Sequence, residues 1–135
     1  MIIDGLGGGL GSQITEKLNA NKRSSDIEII ALGTNAQATS RMINAGADNG
    51  ATGENSFKVL CARADIILGP LGIIMPHAMK GEITPAMAEA VGISKAKKFL
   101  LGIKQPHLKL IGVKDISLNK MIEEMVEKVI KIVND

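Results

Sequence analysis

The sequence has no Trp and no Tyr, and Phe57 and Phe99 are its only aromatic residues. Proteins that hold single-stranded nucleic acid stack bases on aromatic rings, so the composition argues against nucleic acid as a partner. A net charge of +2 adds no electrostatic case for it. Cys61 is the sole cysteine, which excludes an intramolecular disulfide and a cysteine-rich zinc site. Long apolar runs are also missing. Ile66 to Met75 is broken by Gly69, Pro70 and Gly72 and is too short to span a bilayer, so no membrane partner is expected. No basic segment precedes the opening Met1-Ile2-Ile3, and the expected location is the cytoplasm, in a bacterial-type domain.

What is present is an aliphatic globular composition. The chain has 135 residues, 45% of them apolar, which suits one domain over 1–135 and leaves no room for separate cofactor and substrate domains. A core limited to Ile, Leu, Val, Ala and Met favours helices packed closely on a parallel sheet.

The hydrophobic period alternates along the chain between strand and helix. Met1 to Asp4 reads as a first strand, followed by a helix with Leu10, Ile14 and Leu18 on one face. Asn19 to Asp26 is polar and turn-like. Ile27 to Leu32 is a second strand, and Asn35 to Asn44 a helix with Met42 and Ile43 inward and Gly46 as its cap. Ala47 to Ala51 is a weak third strand, and Glu54 to Ala64 a helix with Phe57, Leu60, Cys61 and Ala64 on one side. Asp65 to Leu68 forms a fourth strand. A long connection from Gly69 to Gly81 then leads to a helix opened by Thr84-Pro85 and ending near Gly92. Lys97 to Ile103 and Leu108 to Val113 read as fifth and sixth strands, joined closely enough through Pro106 to pair antiparallel. The last helix carries an apolar stripe from Leu118 to Val133. Together these predict a Rossmann-like three-layer α/β/α fold, its doubly wound sheet mostly parallel with an antiparallel edge strand. Ligands of such sheets sit beyond the carboxyl ends of the strands.

The first turn carries the strongest signal. Asp4-Gly5-Leu6-Gly7-Gly8-Gly9-Leu10-Gly11 follows a strand and opens a helix, the context a phosphate loop requires. Glycine lets backbone N–H groups approach an anion, and the helix behind adds unpaired donors and a partial positive charge. Gly5, Gly8 and Gly11 give G-x-x-G-x-x-G, and Gly5, Gly9 and Gly11 give G-x-x-x-G-x-G. Both resemble the first turn of short-chain dehydrogenases. Those enzymes use a catalytic tyrosine, and this chain has none, so their hydride chemistry does not transfer. The standard G-x-G-x-x-G spacing is not met, and no Gly-Lys-Ser/Thr follows to make a P-loop.

Two features set this turn apart from an NAD site. Asp4 places a carboxylate beside the loop, where capping of loop N–H groups is the simplest role. No acid ends the second strand, where NAD sites hold the ribose. Gly33-Thr34-Asn35 stands there instead, with Arg41 further along the helix, a pattern better suited to a 2′-phosphate, as in NADP, or to another nucleotide. The candidate ligand contacts are therefore Asp4, Gly5, Gly7, Gly8, Gly9, Leu10, Gly11, Thr34, Asn35 and Gly69, the last closing the fourth strand.

Catalytic residues are not fixed by the pattern, and no metal site is expected from it. Glu54 and Glu82 sit near helix starts, which favour acids in any case. With Asp4 they form an alternative set for a small enzyme acting on a phosphorylated or carboxylated metabolite, with Mg²⁺ where required. His77, in the long connection whose length suits a lid, is a further acid–base candidate for that enzyme. Cys61 falls on a core face of its helix. A third alternative is a protein-interaction module, and a homodimer enters only from the prevalence of two-fold assembly.

Taken together, Asp4 to Gly11, Ala31-Leu32-Gly33-Thr34-Asn35, Ala45-Gly46-Ala47-Asp48, Ala51-Thr52-Gly53-Glu54-Asn55, Gly69-Pro70, Gly81-Glu82-Ile83-Thr84-Pro85 and Gly112-Val113-Lys114-Asp115 resemble the bacterial domain-of-unknown-function family numbered 3842. The resemblance spans nearly the whole chain. It implies a short Rossmann-like protein and carries no catalytic assignment. The family pattern often has Gln where this sequence has Leu6, so any contact made through that Gln is missing here.

Overall fold

In the first strand Ile2 and Ile3 alternate between two apolar environments, as the period of a strand demands. Ile2 belongs to one core cluster with Ile14, Leu18 and Met42, and Ile3 to another with Phe57, Cys61 and Val91. The same alternation separates Ala31 from Leu32 and Leu68 from Ile67. A sheet that buries both faces needs a helical layer on each, and the chain supplies them. The structure is a computed structural model describing residues 1–23 and 27–134.

Its elements run β1 (Ile2–Asp4), α1 (Gly9–Asn21), β2 (Ile30–Gly33), α2 (Ala36–Asn44), β3 (Asn49–Thr52), α3 (Glu54–Cys61), β4 (Ile66–Pro70), a short 3₁₀ turn (Leu71–Ile74), α4 (Pro85–Ile93), β5 (Lys97–Leu101) and α5 (Leu118–Val133). The five-stranded sheet has the order β3-β2-β1-β4-β5, with every pair parallel. This is the Rossmann-like α/β arrangement. The first core cluster draws on α1, α2 and α5, and the second on α3 and α4. β1 lies centrally, with β2 on one side and β4 on the other. That position is the switch point, so the loop after β1 opens where the chain's two winding directions part.

The helix signals are physically met. Asn35 caps α2, its side chain accepting from the Ala38 N–H at 2.9 Å. Thr84 caps α4 with Pro85 at its first position. Gly46, at φ +123°, ends α2 with its N–H on the Ile43 carbonyl. In the α5 stripe Ile122, Met125, Val126 and Val129 are buried, while Leu118 is exposed.

Several expectations are corrected. The antiparallel sixth strand does not form. β5 stops at Leu101, and Leu108 to Val113 is an exposed arm whose only strand-like pairing among the described residues is an isolated antiparallel bridge between Gln105 and Leu108. Pro106 has no N–H for a ladder, and Gly112 takes φ +86°, far from the extended backbone of a regular strand. β2 begins at Ile30 rather than Ile27, because the backbone of Ile29 is held by Asp48 through both its N–H and its carbonyl. β4 runs on through Gly69-Pro70, which therefore belong to the strand and not to the connection after it. α3 ends at Cys61, short of Ala64. α1 continues through Asn19 to Asn21, so the turn starts later than expected, and residues 24–26 of that turn lie outside the described residues. Ile43 is 41% exposed, not inward.

Candidate functional site

Three segments meet beyond the carboxyl ends of β1, β2 and β4. They are the glycine loop, the Thr34-Asn35 turn, and a strap from Met75 to Thr84 that leads into α4. The sequence places them far apart, and hydrogen bonds join them.

The glycine loop is closed by its own backbone. Gly8 caps α1 in the left-handed region at φ 73°, its N–H donates to the Gly5 carbonyl at 2.9 Å, and its carbonyl accepts from Ser12. The Gly8 amide is thus used inside the loop. Asp4, only 5% exposed, accepts the Gly11 N–H through Oδ2 at 2.6 Å. It fills the role of a helix-capping carboxylate from the preceding strand. Burial raises its pKa above the ordinary aspartate value, and the nearby Glu82 adds to the rise. The Gly11 and Gly5 amides and the Arg41 guanidinium oppose it.

The five glycines of the loop fall into two groups. A Cβ on Gly5 would lie 2.5 Å from Thr34 Oγ1 and 2.7 Å from Met79 Sδ. One on Gly8 would meet the Ala38 backbone at 2.7 Å, and one on Gly11 would meet Met42 Sδ at 2.6 Å and Asp4 Cβ at 2.8 Å. Gly8 and Gly11 let α1, α2 and β1 approach closely, and Gly5 makes room for Thr34 and the strap. Gly7 and Gly9 differ. The nearest atoms to a Cβ on either belong to Arg41, its Nη1 at 3.8 Å from the Gly7 position and 3.3 Å from the Gly9 position. Arg41 also donates to the Gly7 carbonyl at 3.3 Å. The end of a flexible arginine can move aside, so protein packing does not explain glycine at these two positions.

Gly9 and Leu10 open α1, where N–H groups have no intrahelical acceptor. Asp4 takes the Gly11 N–H, and among the described residues no protein group takes those of Gly9 or Leu10. Unpaired N–H donors at a helix N-terminus and a guanidinium therefore lie together around Gly7 and Gly9. This arrangement attracts an anion.

Glu82 occupies the other end of the loop. Its Oε1 accepts from the Leu6 N–H at 2.8 Å, the Thr34 hydroxyl at 2.6 Å and the Asn35 side-chain amide at 2.8 Å. Asn35 also donates to the Leu6 carbonyl at 2.9 Å. The Thr34 hydroxyl, first among these donors, holds the Glu82 carboxyl below the ordinary glutamate range. Thr34 and Asn35 thus serve both as structural groups and as donors to a carboxylate.

The remaining candidates lie apart from this cluster or serve packing. A Cβ on Gly69 would sit 2.6 Å from the Ile3 carbonyl, so glycine there lets β4 lie against β1. Glu54 pairs with Lys58 at 3.5 Å, and its carboxyl is held low by the Thr84 hydroxyl and Lys58. The exposed His77 is fixed by its backbone, whose N–H donates to the Ile83 carbonyl. Cys61 is buried, which pushes its thiol up to about 11. Among the described residues, no three of His, Cys, Asp and Glu converge as a metal ion requires. Clefts also lie elsewhere. One of about 790 Å³ lies between the arm after β5 and the start of α5, and one of about 530 Å³ at the amino edge of the sheet.

Sequence reasoning missed the Glu82 contact and the placement of Arg41 over the glycines. Glu82 is 76 residues from Leu6, and no local spacing signals such a pair.

No curated protein and no solved structure matches the chain. A family model does, over residues 1–134. The chain belongs to the family described as domain of unknown function DUF3842. The match covers the glycine loop, Thr34-Asn35, Arg41 and the strap together. Membership names neither a ligand nor a reaction, so the chemistry must come from the geometry. No helix is long and apolar enough to cross a membrane among the described residues.

Proposed function

We propose that the chain binds a phosphate-bearing ligand, in the fuller form a nucleotide such as NADP, above the glycine loop. The observation that carries this reading is the glycine pair Gly7 and Gly9, which packing does not require and which lies beneath Arg41. A side chain on either would stand between the guanidinium and the first-turn amides of α1. An anionic group placed there receives the Gly9 and Leu10 N–H groups and pairs with Arg41. Thr34 and Asn35 lie on the side where a sugar would follow. Asp4, Gly5, Gly8 and Gly11 shape the loop, and Gly69 supports its floor.

Thermal-shift titration with inorganic pyrophosphate, NADP, NAD and nucleoside phosphates tests the reading. A specific ligand at about 100 times its Kd stabilises the folded state by about 2.7 kcal/mol. Gly9→Val and Arg41→Ala should each abolish that shift while the unliganded protein stays folded. No shift with any of these compounds, or a shift indifferent to both substitutions, would overturn it.

One observation favours a second reading, self-association. Among the described residues β5 pairs only with β4, and the chain continues from it into an apolar arm on which Ile111 is 91% and Val113 51% exposed. A second copy of the chain would cover those exposed residues. Light scattering on the wild type and on Ile111→Asp measures it. A dimer lost in the variant supports the reading, and a wild-type monomer at high concentration removes it.

A further inference from the structure

The strap from Met75 to Thr84 is built against its own residues' preferences. His77, Met79 and Lys80 have φ of 69°, 57° and 57°, and Gly81 has 90°. A non-glycine side chain in the left-handed region is strained, and here three in four consecutive positions are held by the strap's own hydrogen bonds, His77 N–H to the Ile83 carbonyl, Ile83 N–H to the Ala78 carbonyl and Glu82 N–H to the Met79 carbonyl. The ends of the strap are secured, since Ile73 before it and Ile83 within it are fully buried. Between them Pro76, His77, Lys80 and Gly81 are exposed. The attachments across the glycine loop are the Met79 side chain, which rests against Gly5, and the Glu82 carboxylate.

That carboxylate sits where three donors converge, one from the glycine loop and two from the β2–α2 turn. A backbone N–H, a hydroxyl and a side-chain amide on one oxygen are the contacts an anionic ligand oxygen would otherwise receive. Glu82 also brings a negative charge to the mouth of a site whose other end gathers N–H donors and Arg41.

We propose that Glu82 is an autoinhibitory latch: it fills the Leu6–Thr34–Asn35 cup as an internal anion and holds the strap closed over the glycine loop until a phosphate-bearing ligand displaces it. The inference rests on the anion reading above and adds the displacement. Binding then requires the open strap, and the apparent affinity is lowered by the fraction of molecules in which the strap is open.

The test uses inorganic pyrophosphate at constant ionic strength with wild type, Glu82→Ala and Glu82→Gln. Hydrogen–deuterium exchange over residues 75–84 is read in parallel. If the strap is open in about a tenth of molecules, Glu82→Ala tightens pyrophosphate binding about tenfold. Glu82→Gln keeps an acceptor in the cup and removes only the charge, so it gives a smaller gain. Exchange in the strap should rise in Glu82→Ala without ligand, and in the wild type when pyrophosphate binds. Equal gains in the two variants would reduce Glu82 to a repelling charge and overturn the latch. Pyrophosphate binding that Arg41→Ala abolishes, with strap exchange unchanged, would overturn the latch and leave the anion reading standing. Binding in neither the wild type nor Glu82→Ala would overturn both.

Discussion

Asp4 and Glu82 each hold an end of the same glycine loop, and their environments are opposite. Asp4 reaches Gly11 from the adjoining strand, is almost wholly buried, and has its pKa raised by that burial. Glu82 reaches Leu6 from across the fold, remains partly exposed, and has its pKa lowered by the donors around it. A carboxylate placed by its own strand cannot leave without unfolding the strand. A carboxylate at the tip of a strap can leave by moving the strap. One is therefore part of the frame and the other a contact that can be exchanged.

The sharpest way to break this comparison is to disturb the frame. Gly11→Val drives a side chain into Met42 and Asp4, and it should cost about 3 kcal/mol of stability, read from the denaturant midpoint. Asp4→Ala leaves the Gly11 N–H buried without an acceptor, so a loss of about 1–3 kcal/mol is expected in the same measurement. Asp4→Asn keeps an acceptor oxygen and removes the buried charge, so at neutral pH it should match or exceed the wild type.

The two carboxylates should also separate by pH. The folded chain holds the Asp4 proton more tightly than the unfolded chain does. Its contribution is full in acid and is lost as pH rises through the raised folded pKa. Wild type should therefore gain on Asp4→Asn as the pH is lowered from neutral. Glu82 has the opposite sign. Its contribution is full above the ordinary glutamate range and is lost as pH falls through its lowered folded pKa, so wild type should lose ground to Glu82→Gln on acidification. Denaturation curves of the three proteins across that range check both signs, and parallel curves would show that the two sites do not differ in this way.

The smallest effects belong to the open glycines. Gly9→Ala meets only the movable end of Arg41 and lies in the first turn of a helix, so its stability should change by about 0.5 kcal/mol or less. A large loss at Gly9 would show that it belongs to the frame with Gly11.

Local physics made the helices readable. Asn35, Thr84-Pro85 and Gly46 act within a few residues of themselves, and the α5 stripe repeats at the helical period. The buried strands could be read for the same reason, since Ile2-Ile3 and Ile66-Ile67-Leu68 have few alternatives to burial in a sheet. The arm from Leu108 to Val113 misled because alternating apolar residues look like a strand whether or not a ladder is available, and Pro106 and Gly112 deny one. Asp4 could be read as a capping carboxylate because its partner lies seven residues away. The glycine loop was visible as a cluster, but its division was not. Gly5, Gly7, Gly8, Gly9 and Gly11 look equivalent until α2 and the strap are folded against them.

The aliphatic core, the alternation of strands and helices, the glycine turn behind β1 and the family membership are all written in the order of the residues. These rest on composition, short-range periodicity and backbone preferences, which act before the chain has folded. Only the tertiary structure decided which glycines are packed and which lie open, set Arg41 over Gly7 and Gly9, and carried Glu82 into the cup of Leu6, Thr34 and Asn35. Those contacts join residues dozens of positions apart, and a contact between distant residues exists only once the sheet has brought their loops to one edge.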